Sequence, residues 1–255
     1  MGKIVTLART TLSEMLREKL FLVVILIAAL LLGMSVLFGA LSFAEQKKIL
    51  ADFGFLAIEI SSLAIALFSG SFLISKEIEK QTLLLMLSRP VSRGQFIFGK
   101  FAGVLAVNTL LILFLGLVLG FLLKAWEGTQ LLSFAEICLS LWMQSLLILA
   151  MVLMLSLIVR PVLALSLGMV TYLLGQWLGD LEFFAEKSKE IVFIRAVEVL
   201  HWITPNFYRM NWKSAYFLEN GIPGNQVVWM LVHCLGWFVL LMLVTNFLFR
   251  RKDIV

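Results

Sequence analysis

The sequence predicts an all-α membrane protein with six transmembrane helices, on three observations. Of its 255 residues 61% are hydrophobic and 15% charged, with mean hydropathy +1.01, whereas soluble domains carry about 45–50% apolar and about 25% charged residues. Six windows, 20–41, 53–74, 101–123, 137–159, 162–178 and 227–249, are apolar almost throughout, and Glu59 is the only Asp, Glu, Lys or Arg inside them. A helical crossing needs about 20 apolar residues. In lipid every backbone hydrogen bond must be closed internally, and apolar runs of this length without alternation favour helices over a barrel.

Residues 3–19 place apolar Ile4, Leu7, Ala8, Leu12, Met15 and Leu16 at helical spacing among Lys3, Arg9, Arg17 and Glu18, the pattern of an amphipathic interface helix. Window 20–41 is too long for a signal-peptide core of about 7–15 residues and reads as an uncleaved crossing. Window 162–178, the shortest, recruits Pro161, Gly179 and Asp180 at its ends.

Between the second and third crossings lies a loop, 75–100, whose first part reads as a helix over about 76–87. It stops at Ser88, Arg89 and Pro90, because the residue before proline avoids the α region and proline cannot donate to the preceding turn. Leu83, Leu84, Leu85 and Leu87 then lie outside the bilayer, and an apolar, charge-flanked helix there calls for a covering partner. Segment 180–226, between the fifth and sixth crossings, combines a charged amphipathic run, 182–200, with Trp202, Phe207, Tyr208, Trp212, Tyr216 and Phe217. Aromatics of this kind favour the membrane interface. A helix at the outer surface, followed by irregular chain closed by Gly221, Ile222, Pro223 and Gly224, would either cap an exit or form a solvated lid.

Six crossings put both termini on one side, and that side carries 13 Lys and Arg against 8 on the other. The positive-inside rule makes the terminal side cytoplasmic. The net charge of +5 and the pI near 9.3 are therefore a topology signal and not a nucleic-acid-binding one.

Chemistry-bearing residues are sparse. Cys138 and Cys234 form no CxxC pair and read as apolar fillers, and two histidines, His201 and His233, make no metal or haem set. Gly94, Gly99 and Lys100 fit the phosphate-binding GxxxxGK[ST] loop up to its last position, where Phe101 replaces the hydroxyl that would bind magnesium. Arg93 and Lys100 instead mark the cytoplasmic headgroup boundary. Glu59, about one turn from the outer end of the second crossing, is either a pathway acid or a carboxylate reaching headgroups. Ser62, Asn108, Gln144, Gln176, His233 and Asn246 can hydrogen-bond between helices or line a pathway. Gly116 with Gly120, and Gly175 with Gly179, have the small-xxx-small spacing that lets backbones approach. No catalytic residue is identified.

The loop Glu77, Glu79, Thr82–Leu83, Leu87–Ser88–Arg89–Pro90–Val91–Ser92–Arg93 and Gly99–Lys100 resembles the one between the second and third helices of type-2 ABC exporter permeases, approximately E-x-E-x-G-T-L, L-L-S-x-P-V-S-R and G-K. Gln81 departs, standing where the family usually has glycine. The N-terminal amphipathic helix, the six-helix count, the turn Thr204–Pro205–Asn206–Phe207 and the basic ending Arg250–Arg251–Lys252 agree with it.

The resemblance implies a single permease domain, 1–255, in the cell's inner membrane, paired with a second copy as a homodimer and docked on a separate ABC ATPase subunit. ATP and magnesium would be bound by that ATPase, and this chain would hold no cofactor and catalyse nothing alone. The helix at 76–87 would couple the two, with Glu77 and Glu79 facing basic residues, Leu83, Leu84 and Leu87 in an apolar groove, and Thr82, Arg89, Pro90 and Arg93 completing the docking loop. Membrane lipid and accessory proteins are the other expected partners; nucleic acid is not. The alternative is a secondary transporter or channel-like protein without an ATPase. A secondary transporter should show inverted repeats with broken helices and paired mid-membrane charges, and no such repeat is evident.

Overall fold

A computed structural model describes residues 2–41, 45–75, 92–125, 131–217 and 221–251, and among them all regular structure is helical. The helices are α1 (Gly2–Leu16), α2 (Lys19–Leu41), α3 (Gln46–Phe72), α4 (Arg93–Ala125), α5 (Leu131–Ile158), α6 (Pro161–Lys187), α7 (Ile191–Ile203) and α8 (Gly224–Arg251), with short 3₁₀ turns at Tyr208–Met210 and Lys213–Phe217. Six of them, α2 to α6 and α8, are long and apolar enough to cross a membrane, as the apolar windows predict.

The bundle is built around α3 and α5. Within their most apolar stretches 67% and 72% of residues are buried, against 22% in both α2 and α8. α3 packs against α2, α4, α5 and α6, and α5 also meets α8, so Phe55, Ile58, Ile65, Leu147 and Leu149 have no exposed surface. The outward faces of α2 and α8 keep Leu22, Leu26, Leu30, Val232 and Leu243 exposed, the inverse of a water-soluble fold.

The crossing helices extend past the apolar windows, because a helix need not stop where lipid does. α3 begins at Gln46 and carries Lys47, Lys48 and Asp52 in its first turns; α4 begins at Arg93; α6 continues through Asp180, Glu182 and Glu186 to Lys187. Pro161 opens α6 at a position where its missing N–H costs nothing, with Arg160 extended before it. The earlier start of α3 moves Glu59 to near the middle of that helix, about 20 Å from its first residue at 1.5 Å per residue, and not one turn from the end as the window suggested. The coupling helix expected at 76–87, with Glu77, Glu79, Thr82, Leu83, Leu84, Leu87, Arg89 and Pro90, lies outside the described residues.

Candidate functional site

Glu59 is 8% exposed, and three other parts of the chain supply its surroundings. From α6, the Tyr172 hydroxyl donates to its Oε1, and Gln176 Nε2 lies 3.0 Å from that hydroxyl and 2.9 Å from Gln144 Oε1 of α5. From the segment between α7 and α8, Lys213 Nζ makes an ion pair with Glu59 Oε2. Gln144 Nε2 donates to the Met210 carbonyl at 2.9 Å, Ser140 Oγ donates to the same carbonyl, and Asn211 Nδ2 donates to Gln176 Oε1 at 3.2 Å. The result is one connected polar cluster deep in the bundle. An uncompensated charge there would be costly, and this one has a counter-charge and donors on both carboxylate oxygens.

The cluster exists because the segment between α7 and α8 folds inward. Thr204, Pro205, Asn206, Phe207 and Met210 are all buried, as are Trp212 and Tyr216. Gly175 makes room for this chain: a Cβ there would stand 2.4 Å from Phe207 Cδ2 and 2.6 Å from the Pro205 carbonyl oxygen. His233 holds the turn from α8, its Nε2 accepting from the Asn206 N–H at 3.2 Å while its ring stacks on Trp229. The Tyr216 phenol, packed edge-on against Phe55 and without a hydrogen-bond partner among the described residues, has its pKa raised by burial.

At the opposite end of the bundle the start of α4 joins two other helices. Gly99 and Gly103 face α1: a Cβ would lie 2.7 Å from Leu7 Cβ at the first and 2.5 Å from Thr11 Cβ at the second. Between them Lys100, 2% exposed, donates to Glu14 Oε2 at 3.4 Å and so ties α4 to α1. Arg93 Nη1 donates to the last carbonyls of α8, Phe249 O at 3.1 Å and Arg250 O at 3.0 Å, the favourable place for a cation on a helix dipole. Phe96 stacks on Phe249 beside this contact.

The remaining sequence candidates fall in scattered places. Asn108 Nδ2 donates to Ser145 Oγ at 2.7 Å between α4 and α5, and Ser62 Oγ bonds back to the Glu59 carbonyl within its own helix. Asn246 Oδ1 is buried without a hydrogen-bond partner among the described residues, against Gly94. Gly116 and Gly120 face Cys138 and Phe134 at ordinary contact distance. Of the polar candidates only Glu59, Gln144 and Gln176 share a site. Tyr172 and Lys213, which complete it, were missed: a tyrosine in an apolar window and a lysine 154 residues from its partner carry no local signal. Gly103 was also missed, although Gly99–xxx–Gly103 has the same spacing as Gly116–xxx–Gly120.

The helix count, the buried polar cluster and the α4 junction describe a multi-pass membrane protein with a polar centre. The family model for ABC-2 family transporter proteins matches residues 5–254. Comparison with curated proteins finds no match. The family match spans nearly the whole chain, including all six helices long and apolar enough to cross a membrane, so the chain belongs to the ABC-2 family of transporter proteins.

Proposed function

We propose that this chain is the permease subunit of an ABC exporter, coupling ATP hydrolysis by a separate ATPase subunit to export of a substrate or to a conformational change across the membrane. The observation that carries this reading is the junction at the start of α4. The loop that resembles an ATPase-docking element ends where α4 begins, and there Gly99, Lys100 and Gly103 hold α1 while Arg93 holds the end of α8. A displacement imposed on the loop would reach three helices together, as a rigid-body switch requires. At the other end of the bundle, the Glu59 cluster ties the inward-folded segment to α3, α5 and α6, and is what such a switch would rearrange.

In this reading both termini face the cytoplasm, the membrane is the inner membrane, a second copy completes the permease, and ATP and magnesium bind the ATPase. Glu77 and Glu79 pair with basic ATPase residues and Leu83, Leu84 and Leu87 fill its groove. The test is co-expression with the ATPase of the neighbouring gene. The native pair copurifies and hydrolyses ATP, and the triple replacement of Leu83, Leu84 and Leu87 by Asp abolishes copurification. Association that survives the replacement overturns the docking assignment. Arg93→Gln, which leaves the leucines intact, is expected to keep association and weaken the permease's effect on ATP turnover.

A further inference from the structure

Beside the Glu59 cluster, and sharing Asn211 and Lys213 with it, a cavity of about 910 Å³ opens between the first turns of α3, the chain from Tyr208 to Ser214 and the first turns of α8. Its size falls in the range of small-molecule sites, about 300–1,000 Å³. Two features of its lining set the chemistry. Asp52 of α3 and Arg209 of the inward-folded chain both face it, and neither makes an ion pair with a described residue, including each other. One cavity thus presents a carboxylate and a guanidinium held apart. The Arg209 guanidinium lies over the Trp229 ring, 5.4 Å from its centroid, which orients the guanidinium plane while leaving its N–H groups without a carboxylate among the described residues.

The second feature is position. Asp52, Phe53 and Leu56 belong to the opening turns of one crossing helix and Gln226 and Trp229 to those of another, so the cavity sits where two crossings meet the surface, with Trp212 and Trp229 in its wall. Tryptophan at that level is characteristic of the headgroup layer. A guanidinium fork matches a phosphate in a planar, bidentate fashion, and a carboxylate at a separate point matches an ammonium.

We propose that this cavity binds the headgroup of a zwitterionic phospholipid, its phosphate on Arg209 and its amine on Asp52. Lys213, which also lines the cavity, is already engaged by Glu59 and contributes long-range attraction to the phosphate. The aromatic wall covers the glycerol region. This site is separate from ATPase docking and stands or falls independently of it.

The test uses the full chain purified in dodecyl maltoside and titrated with dihexanoyl phosphatidylethanolamine or dihexanoyl phosphatidylglycerol, with adducts counted by native mass spectrometry. Phosphatidylethanolamine is expected to bind in preference to phosphatidylglycerol. Arg209→Gln weakens both by about tenfold or more, the usual loss for one charge-assisted contact. Asp52→Asn removes the preference and leaves phosphatidylglycerol binding unchanged. Both side chains are exposed, so unaltered melting temperatures accompany these changes, and Arg209→Lys, which keeps the charge without the fork, falls between wild type and Arg209→Gln. Equal binding of both lipids by the wild-type protein overturns the proposal, as does binding indifferent to Arg209→Gln. Displacement of the lipid by free phosphoethanolamine or by glycylglycine at equal concentration also overturns it, since the ligand would then be a soluble ester or a peptide.

Discussion

Around Glu59, elements more than 100 residues apart in the chain are joined mainly by side-chain polar atoms; at the start of α4, α1 and α4 are joined mainly by a close approach of the helices at two glycines. The first contact depends on every donor and acceptor being present, because a half-satisfied buried network costs more than an apolar one. It can nevertheless exchange its partners for water or for one another. The second depends on the absence of two Cβ atoms, and Lys100–Glu14 and Arg93 add direction to it. It is indifferent to small changes in charge and intolerant of volume. The bundle therefore has one junction suited to rearrangement and another suited to moving as a block, and substitutions of opposite kinds should discriminate them.

The largest effect is expected from Lys213→Met. The pair it breaks is mostly buried, with 20% and 10% of the two side chains exposed, and among the described residues it leaves the Glu59 carboxyl hydrogen-bonded only to Tyr172 and Gln176. Removing one partner of such a pair costs about 2–4 kcal/mol, most of it the penalty of the stranded charge. The melting temperature of the detergent-solubilised protein should fall accordingly. Glu59→Gln in the same background should restore much of the loss, since it removes the stranded charge; a double variant no more stable than Lys213→Met would show that the pair is not what holds the inward-folded segment.

A smaller effect is expected from Gly103→Ala. The added Cβ meets Thr11 Cβ and, at 2.8 Å, the Ala8 carbonyl oxygen; neither is the far end of a flexible chain, so α1 must shift. Overpacking of this sort costs about 1–3 kcal/mol. Unlike Lys213→Met, it should leave the Glu59 cluster intact, which protection of the inward-folded segment in hydrogen exchange would report. Loss of protection there would mean the two junctions are not separable.

How much of this was visible beforehand differs between the junctions for a physical reason. The six crossings were legible because lipid imposes length and apolarity on each helix by itself, and Glu59 was legible because a lone acid in an apolar window has no solvent to lean on. Its partners were not. Lys213 sits in a segment whose aromatics suggested the surface, and only the folding back of 204–217 beneath α6, allowed by Gly175 against Phe207, brings it to mid-helix. Glu59 stands farther from the first residue of its helix than the apolar window places it, because apolarity marks where lipid ends and not where a helix ends; Lys47, Lys48 and Asp52 extend α3 without interrupting it. The burial of Lys100 carried no local signal; it follows from the close α1–α4 approach that Gly99 and Gly103 permit.

The smallest effect tests whether spacing alone identifies a helix contact. α4 carries two glycine pairs with identical separation, Gly99 with Gly103 and Gly116 with Gly120. The first pair lies under α1, with no room for a methyl group. The second faces α5 across an apolar groove of about 710 Å³, where a Cβ at Gly116 would stand 3.5 Å from Cys138 Sγ and one at Gly120 would stand 3.6 Å from the Phe134 ring, both ordinary van der Waals distances. Gly116→Ala therefore adds a contact without displacing anything, and it also removes a residue that weakens helices by about 1 kcal/mol relative to alanine in water. The expected change in stability is within about 0.5 kcal/mol of zero. A loss comparable to that of Gly103→Ala in the same melting experiment would mean that a second chain, absent from the single subunit, packs into the α4–α5 groove against Gly116. The two pairs would then be alike in role, one closing the subunit and the other the assembly.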